Sequence, residues 1–225
     1  MKLLSCIVSH DRGELLRRTV ESYLATFSVP FVLVIVDSAS TEHETIEYLR
    51  QLQNEGRYII WIPENVYPGA ACNEGWAFAD SMVKWTSADE TFMHRSDNDV
   101  EYLPGWCEEV EHCFTDPEVG QVGLMLDKFE VGATNVGGNC LIRKSLWNEG
   151  LRWDETTWKP LIQEDGKMSG EIIRLGLRLV RVQREYIIHH GWDYEDYPDY
   201  YDRSATERGI GIPQLHAIFE DMKQR

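Results

Sequence analysis

The sequence lacks the features that indicate a membrane span, a disulfide framework or a nucleic-acid-binding surface. The longest strongly apolar run, residues 31–36, is too short to cross a bilayer. The five cysteines include no Cys-x-x-Cys pair, which argues against disulfides or a zinc ribbon and favours buried, inert thiols. Lysine and arginine number 22 against 38 acidic residues, and the net charge of −16 repels nucleic acids. The first residues carry no signal-peptide pattern, so a cytoplasmic location is expected.

The first half of the sequence alternates between strand and helix patterns. Apolar runs predict strands, and helical periodicity predicts the helices between them: strands at residues 3–8, 31–36, 58–62 and 91–96, helices at 14–27, 44–53 and 69–85. This order predicts parallel strands joined by right-handed crossovers. The 225 residues show neither a repeat nor a linker, so we predict a single α/β domain over residues 1–225.

The second half is less regular. Its predicted strands and helices are short: strands at residues 119–126, 137–142, 178–182 and 186–191, helices at 105–114, 143–150, 169–176 and 212–222. Residues 192–203 are dense in Asp, Glu and Tyr without periodicity and predict a loop. That loop is either a lid that orders when a substrate binds or a solvated tail.

An acidic run, Asp97-Asn98-Asp99, follows the predicted strand at residues 91–96. In an extended segment the two carboxylates point to one side and Asn98 to the other. Converging carboxylates are costly to leave unpaired, and a divalent cation such as Mg²⁺ or Mn²⁺ resolves that cost. By itself, the run is more often a turn or a helix cap.

Three polar clusters are predicted to share one edge of the sheet. Residues 9–12, Asp37 and the acidic run each follow a predicted parallel strand. Because ligands bind at the carboxyl ends of parallel strands in such sheets, this shared edge is the predicted binding site.

The order of several short motifs resembles that of the GT-A glycosyltransferases, in particular glycosyltransferase family 2. The resemblance extends from about residue 3 to residue 191. The motifs are Val8-Ser9-His10-Asp11-Arg12, Val36-Asp37-Ser38-Ala39-Ser40-Thr41, Asn65-Val66-Tyr67-Pro68-Gly69, Ala70-Ala71-Cys72-Asn73-Glu74-Gly75, the acidic run, Gly137-Gly138-Asn139-Cys140-Leu141-Ile142-Arg143, Glu164-Asp165 and His189.

The resemblance implies a Rossmann-like mixed sheet flanked by helices and a metal-dependent transferase of the hexosyltransferase type. The donor would be a nucleotide-diphosphate sugar, with a UDP-sugar favoured, and the acceptor hydroxyl would belong to a glycan, a protein or a small molecule. The reaction would invert the configuration at the anomeric carbon of the transferred sugar. Residues 1–100 would form the nucleotide-sugar-binding half and residues 101–191 the acceptor and catalytic half, followed by an acidic-aromatic loop and helix at 192–225.

The resemblance also assigns metal ligands. Asp99 and His189 would hold Mn²⁺ or Mg²⁺, with Asp97 nearer the donor. Neutral imidazole suits Mn²⁺ better than Mg²⁺. His190 is the open alternative to its neighbour, and either histidine is also compatible with simple packing.

A second carboxylate pair, Glu164-Asp165, matches the position of the catalytic base in inverting family members. We expect Asp165 to remove the proton from the acceptor hydroxyl, with Glu164 as second choice. The competing interpretation is a charge at a helix start, which the helix dipole favours.

The remaining predicted contacts bind the nucleotide or the donor sugar. They are Ser9, His10, Asp11, Asp37, Asn65, Gly69, Asn73, Asp97 and Asn98. His10 stands where the family has an aromatic residue or Asn, which leaves the base open. The competing interpretation of Asp37 is a helix N-cap, and that of Asn73 is a polar residue on a helix surface.

Two other functions remain open at this point. A nucleotidyltransferase acting on a sugar phosphate also combines such a sheet with paired aspartates, but it usually carries a glycine-rich, basic loop after the first strand. Here that turn has one Gly and one Arg. The other alternative is a non-catalytic nucleotide-sugar-binding protein with the same fold.

Overall fold

Strands and helices alternate along the chain. The computed structural model describes residues 1–83, 90–124, 130–155, 163–191 and 198–207, together with residues 211, 213, 216 and 217. The strands are β1 (Lys2–Ser9), β2 (Phe31–Ser38), β3 (Tyr58–Ile62), β4 (Thr91–Asp97), β5 (Val100–Tyr102), β6 (Val119–Gly123), β7 (Glu130–Val131), β8 (Cys140–Arg143), β9 (Arg178–Arg181) and β10 (Ile187–His189). The helices are α1 (Gly13–Thr26), α2 (His43–Asn54), α3 (Tyr67–Met82), α4 (Trp106–Cys113), α5 (Lys144–Asn148), α6 (Gln163–Arg174) and α7 (Pro198–Glu207).

Eight of these strands form one mixed sheet in the order β3-β2-β1-β4-β8-β6-β9-β7. β3, β2, β1 and β4 are parallel, which confirms the arrangement predicted from the first half of the sequence. β8 runs antiparallel to both β4 and β6. β5 and β10 form a separate antiparallel pair. The predicted α/β class with a mixed sheet is therefore confirmed, whereas the division of the chain into halves stays a prediction.

Two apolar cores cover the two faces of the sheet. Successive side chains of a strand point to opposite faces, so on β4 Phe92 belongs to one core and Met93 to the other. The first core includes Leu16 of α1, and the second includes Trp76 of α3 and Ile172 of α6. Helices thus pack on both faces, as the fold class requires.

A buried polar network surrounds His94 inside the first core. Its Nδ1 lies 3.1 Å from Ser5 Oγ, and its Nε2 lies 3.1 Å from the Tyr102 hydroxyl oxygen. Ser5 Oγ lies 2.7 Å from the Tyr23 hydroxyl oxygen. Complete burial lowers the pKa of His94 to about 3. The imidazole is therefore neutral at physiological pH.

The structure differs from the predicted elements mainly in the second half. α6 begins at Gln163 rather than residue 169, because its first turn is polar and shows no apolar periodicity. The loop predicted at 192–203 is wrong over 198–203, where α7 begins at Pro198, a residue suited to a first helical position. The short strands β5 and β7 were not predicted.

Some predicted segments lie outside the described residues. These are residues 84–85 and 125–126 at the ends of two predicted elements, residues 192–197, and most of the helix predicted at 212–222. All five cysteines are described, and each is free and buried, as predicted. Among the described helices, none is both long and apolar enough to cross a bilayer.

Candidate active site

The parallel strands β1, β2 and β4 end side by side at one edge of the sheet. Their register pairs Ser9 with Asp37 and Val8 with Asp97. The first turn, Asp37 and the acidic run therefore lie on one rim, as the sequence predicts. This is the rim at which sheets of this type bind ligands.

The acidic run forms a tight turn between β4 and β5 rather than continuing the strand. Asp97 ends β4, and β5 begins at Val100. Asn98 is buried within this turn, where its Oδ1 accepts a hydrogen bond from Arg12 Nη2 at 2.7 Å. Its Nδ2 donates to the carbonyl oxygen of Asp11 at 2.8 Å. The carboxylates of Asp97 and Asp99 converge because the chain turns here, not because the segment is extended.

Asp97, Asp99 and His189 come together as a group of potential metal ligands. Each offers one ligand atom, and these atoms lie within 4.8 Å of one another. β10 pairs with β5 so that His189 lies opposite Val100, directly beside the acidic turn. A distant part of the sequence thereby completes the group.

His190 makes other contacts, and the assignment of His189 as a metal ligand stays a prediction. Its Nε2 lies 2.8 Å from Glu101 Oε2, and Arg18 Nη1 lies 3.4 Å from the same nitrogen. The backbone N–H of His190 donates to the carbonyl oxygen of Asp99 at 2.8 Å. His190 thus anchors β10 to the turn, while His189 faces Asp99.

Asp99 is buried between a guanidinium and an imidazole. Its Oδ2 accepts a hydrogen bond from Arg12 Nη1 at 2.7 Å, and its Oδ1 lies 3.2 Å from His189 Nε2. Burial by itself would raise the pKa of Asp99, but Arg12 and His189 hold it well below its usual range. A Cβ at Gly191 would overlap Asp99 Oδ2, so only glycine fits beside this carboxylate.

The second carboxylate pair lies in the first turn of α6, above the buried side chain of Arg95. Arg95 Nη1 donates to Asp165 Oδ1 at 3.1 Å, and Arg95 Nη2 lies 3.5 Å from Glu164 Oε1. Burial raises the pKa of Asp165 to about 7, against the lowering effect of Arg95, while Glu164 and Asp97 raise it further. The Asp165 side chain keeps 18% of its surface exposed, so it remains within reach of a substrate.

Asp37 and Asp11 both organise the loop that follows β2. Asp37 Oδ2 accepts from the backbone N–H of Ser40 at 3.1 Å, and burial raises the pKa of Asp37 despite the Ser40 contacts. Asp11 Oδ1 accepts from the backbone N–H groups of Thr41 and Glu42 at 2.7 and 2.8 Å. The structure thus shows both carboxylates shaping the rim, and their predicted contact with a nucleotide stays a prediction.

Ser9 and His10 belong to the same rim. Ser9 is fully buried at the end of β1. His10 Nδ1 lies 2.6 Å from the carbonyl oxygen of Ser38. A carbonyl only accepts, so His10 Nδ1 carries the proton in this contact.

The motif at the start of α3 connects two loops. Asn65 Oδ1 accepts from Ser38 Oγ at 3.3 Å, which joins the ends of β2 and β3. Asn73 is nearly buried, and its Nδ2 donates to the carbonyl oxygen of Trp153 at 3.0 Å and to Glu155 Oε1 at 2.7 Å. Gly69 packs directly against the backbone of Asp154.

A small cleft opens between the start of α3 and the segment after α5. Its lining is Val66, Tyr67, Gly69, Ala70, Asp154, Glu155 and Glu164. The cleft therefore brings the predicted donor motif at residues 65–75 next to Glu164 of α6. Trp153 is 1% exposed and belongs to the core.

Three residues of the site were not assigned a role from the sequence: Arg12, Arg95 and Asn139. Arg95 lies two residues before Asp97 on a strand, and this spacing puts both side chains on one face. A charged residue in an otherwise buried strand, two positions before the acidic run, is a signal that could have identified it. Asn139 lies in the motif at residues 137–143, but its bonds to Asp97 depend on the pairing of β8 with β4, which the motif does not show.

Comparison with known proteins identifies relatives of this fold. The family model described as glycosyl transferase family 2 matches residues 5–139. No curated protein matches the chain. The TM-score to residues 1–349 of TarS from S. aureus is 0.63 at 13% identity, over 96% of this chain and 68% of that one.

Two further solved structures carry donors. The mannosyltransferase PcManGT from Pyrobaculum calidifontis, in complex with GDP-Man and Mn²⁺, gives a TM-score of 0.66 at 14% identity, over 97% of this chain and 68% of that one. S. aureus TarS 1–349 in complex with UDP-GlcNAc gives a TM-score of 0.60 at 15% identity, over 90% of this chain and 64% of that one. These structures share the GT-A fold with this chain. Because the family model covers more than half of the sequence, the chain belongs to glycosyl transferase family 2.

Proposed function

We propose that this protein is a metal-dependent glycosyltransferase that moves a sugar from a nucleotide-diphosphate sugar to an acceptor hydroxyl with inversion of configuration. One observation carries the proposal. The ligand atoms of Asp97, Asp99 and His189 lie within 4.8 Å of one another, and Arg95 connects this group to the carboxylate of Asp165. These contacts support a cation site and a base that lie close together.

The residues around Asp99 fit a divalent cation. Asp99 Oδ1 is buried and accepts no hydrogen bond of good geometry from any described residue, yet it faces His189 Nε2. A carboxylate oxygen and an imidazole nitrogen in its deprotonated form are a donor set for Mn²⁺ or Mg²⁺, and the imidazole favours Mn²⁺. When bound, such a cation would act as a Lewis acid toward the departing diphosphate.

Asp165 is the proposed general base. In a single displacement, its carboxylate accepts the acceptor's hydroxyl proton while the acceptor oxygen bonds to the anomeric carbon and the bond to the donor diphosphate breaks. A pKa of about 7 suits this task, because the group is about half ionised at pH 7 and accepts a proton readily. Glu164 Oε1, at 3.5 Å from the same guanidinium, is the second choice.

The proposed donor is a UDP-sugar. Support comes from TarS, which is described in complex with UDP-GlcNAc and with UDP, while PcManGT is described with GDP-Man. The rim formed by Ser9, His10 and Asp37 is the proposed place of the nucleotide base and ribose, with Asp97 toward the sugar. The acceptor is a hydroxyl of a glycan, a protein or a small molecule.

A donor panel tests the proposal. The purified protein is incubated with UDP-glucose, UDP-N-acetylglucosamine, GDP-mannose and dTDP-glucose, with Mn²⁺ or with EDTA, and both the melting temperature and the released nucleoside diphosphate are measured. We expect one donor to raise the melting temperature and to be hydrolysed slowly, in both cases only with Mn²⁺. Stabilisation and hydrolysis that survive EDTA would contradict metal dependence.

A matched pair of variants assigns the base. Asp165→Asn should keep donor-induced stabilisation and lose about 10²–10⁴-fold in turnover, whereas Glu164→Gln should keep most activity. The reverse pattern would transfer the role to Glu164. Donor binding that neither the wild type nor any variant converts to product would identify a non-catalytic binding protein.

A further inference from the structure

Arg95 is a buried arginine on β4, beneath the candidate site. Its side chain is 2% exposed, so it cannot contact a substrate. Its Nη2 lies 3.4 Å from Asp97 Oδ1 and 3.5 Å from Glu164 Oε1, and its Nη1 lies 3.1 Å from Asp165 Oδ1. One guanidinium therefore connects the strand that ends in the acidic turn with the helix that carries the candidate base.

Fold stability does not explain why a charge is buried here. Taking an ion pair out of water costs as much as the pairing returns, and apolar replacements of buried pairs are often neutral or stabilising. Arg95 Nε lacks a hydrogen-bond partner among the described residues, so the guanidinium is not fully satisfied. Its Cζ lies 4.3 Å from the ring centroid of Trp153, a contact that fixes the orientation of the guanidinium plane.

The backbone beside Arg95 leaves just enough space for its guanidinium. A Cβ at Gly138 would lie 2.9 Å from Arg95 Nη2 and 3.2 Å from Asp165 Oδ1, so a larger residue would push the pair. The next residue, Asn139, holds Asp97 separately: its Nδ2 donates to Asp97 Oδ2 at 2.8 Å, and its Oδ1 accepts from the Asp97 backbone N–H at 2.8 Å. Asp97 thus keeps its orientation without Arg95, whereas Asp165 accepts a side-chain hydrogen bond from Arg95.

We propose that Arg95 is a positioning residue that holds the carboxylate of Asp165 at a fixed place relative to Asp97, and so aligns the base with the donor. This inference rests on the proposed function, because it takes Asp165 as the base. In this inference the Gly138-Asn139 segment also positions the two carboxylates. Gly138 leaves room for the Arg95–Asp165 pair, and Asn139 fixes Asp97.

Arg95→Met and Gly138→Ala test the proposal with Mn²⁺ and the donor hydrolysed in the panel above. A displaced base should lower kcat about 10²-fold, while the KM for the donor changes less than about threefold because Asn139 still holds Asp97. Gly138→Ala keeps every charge and should lower kcat in the same way. Arg95→Lys should recover part of the loss, since it restores a cation near Asp165.

Arg143→Met is the matched control. Arg143 lies on β8, next to β4, and its guanidinium donates to backbone carbonyls of Phe114, Asp116 and Val119 rather than to the site. It should lose stability and keep kcat. Wild-type kcat in Arg95→Met, or equal losses in Arg95→Met and Arg143→Met, would overturn the positioning role.

If no donor is hydrolysed, a double-mutant cycle measures the interaction between Arg95 and Asp165 through protein stability. Asp165→Asn should shift the urea midpoint by different amounts in the wild-type and Arg95→Met backgrounds, because the two side chains interact. Equal shifts would overturn the inference. Failure of the proposed function gives a separate result, which does not depend on the double-mutant cycle. In that case either Asp165→Asn keeps full turnover or no donor is turned over.

Discussion

At the scale of single residues, the surroundings of Asp165 determine how activity should depend on pH. Burial raises the pKa of this carboxyl to about 7, although Arg95 opposes the rise. A general base must be deprotonated, so kcat/KM should increase about tenfold per pH unit below pH 7 and level off above it. Donor turnover measured from pH 5 to 9 checks this. A flat profile, or an acid limb centred near pH 4, would contradict Asp165 as the base.

His94 predicts a second pH dependence, this time of stability. Its pKa is about 3 when folded and near 6.5 when unfolded, so between these values only the unfolded chain binds the proton. The contribution of His94 to the free energy of unfolding is therefore fully present above about pH 6.5 and is lost as the pH falls toward 3. Between pH 7 and pH 4 the loss should amount to about 3 kcal/mol.

Urea unfolding across this pH range, compared between the wild type and His94→Gln, measures that contribution. The variant cannot titrate at this position, so its free energy of unfolding should fall less steeply with acid. His43→Gln is the control, because the His43 side chain is 83% exposed, and it should keep the wild-type slope. Parallel slopes in the wild type and His94→Gln would contradict this role of burial.

Single residues also show what the sequence could and could not predict about the site. Asp97, Asp99, Glu164, Asp165 and His189 were predicted because each belongs to a short motif in a characteristic order. The contacts of Arg12 and Arg95 depend on which loops and helices meet in the folded protein. The short motifs do not contain this information. That His189 faces Asp99 likewise follows from the pairing of β10 with β5.

At the scale of elements, α3 packs against the sheet through a glycine. A Cβ at Gly75 would overlap Cys6 Sγ and approach Val36 Cγ2 to 2.9 Å. The close approach of helix and strand leaves no space for a methyl group, so overpacking should cost about 1–3 kcal/mol in Gly75→Ala.

Gly170→Ala provides the matched comparison for Gly75→Ala. Gly170 also lies within a helix, α6, but a Cβ there would meet nothing within 4 Å. Its substitution should be neutral or stabilising by up to about 1 kcal/mol, because alanine favours helix. Thermal or urea unfolding of both variants checks the contrast. Equal effects at the two positions would show that the α3 contact is looser than described.

Element prediction succeeded where apolar periodicity was strong. β1 to β4 and α1 to α3 have apolar residues on defined faces, and their order was predicted with boundaries close to those observed. α6 begins with a polar turn, and α7 is rich in Tyr and Asp, so neither showed its start in the apolar pattern. These ends depend on packing and capping, which the sequence pattern does not encode.

At the scale of the whole molecule, one mixed sheet connects the two predicted halves of the chain. The parallel part, β3-β2-β1-β4, presents the acidic turn, and α6 brings Glu164 and Asp165 to it from the later part of the sequence. The strongly negative net charge of −16 makes a cation the natural intermediary for an anionic donor. The central claim is therefore that Asp99 and His189 hold a divalent cation at this junction.

Binding of Mn²⁺ in the presence of UDP, followed by the electron paramagnetic resonance signal of the free ion, tests that claim most directly. The account predicts Mn²⁺ binding to the wild type, a loss of affinity of at least about tenfold in Asp99→Asn and His189→Gln, and near wild-type affinity in the neighbouring control His190→Gln. Unchanged affinity in His189→Gln, or a loss confined to His190→Gln, would contradict it.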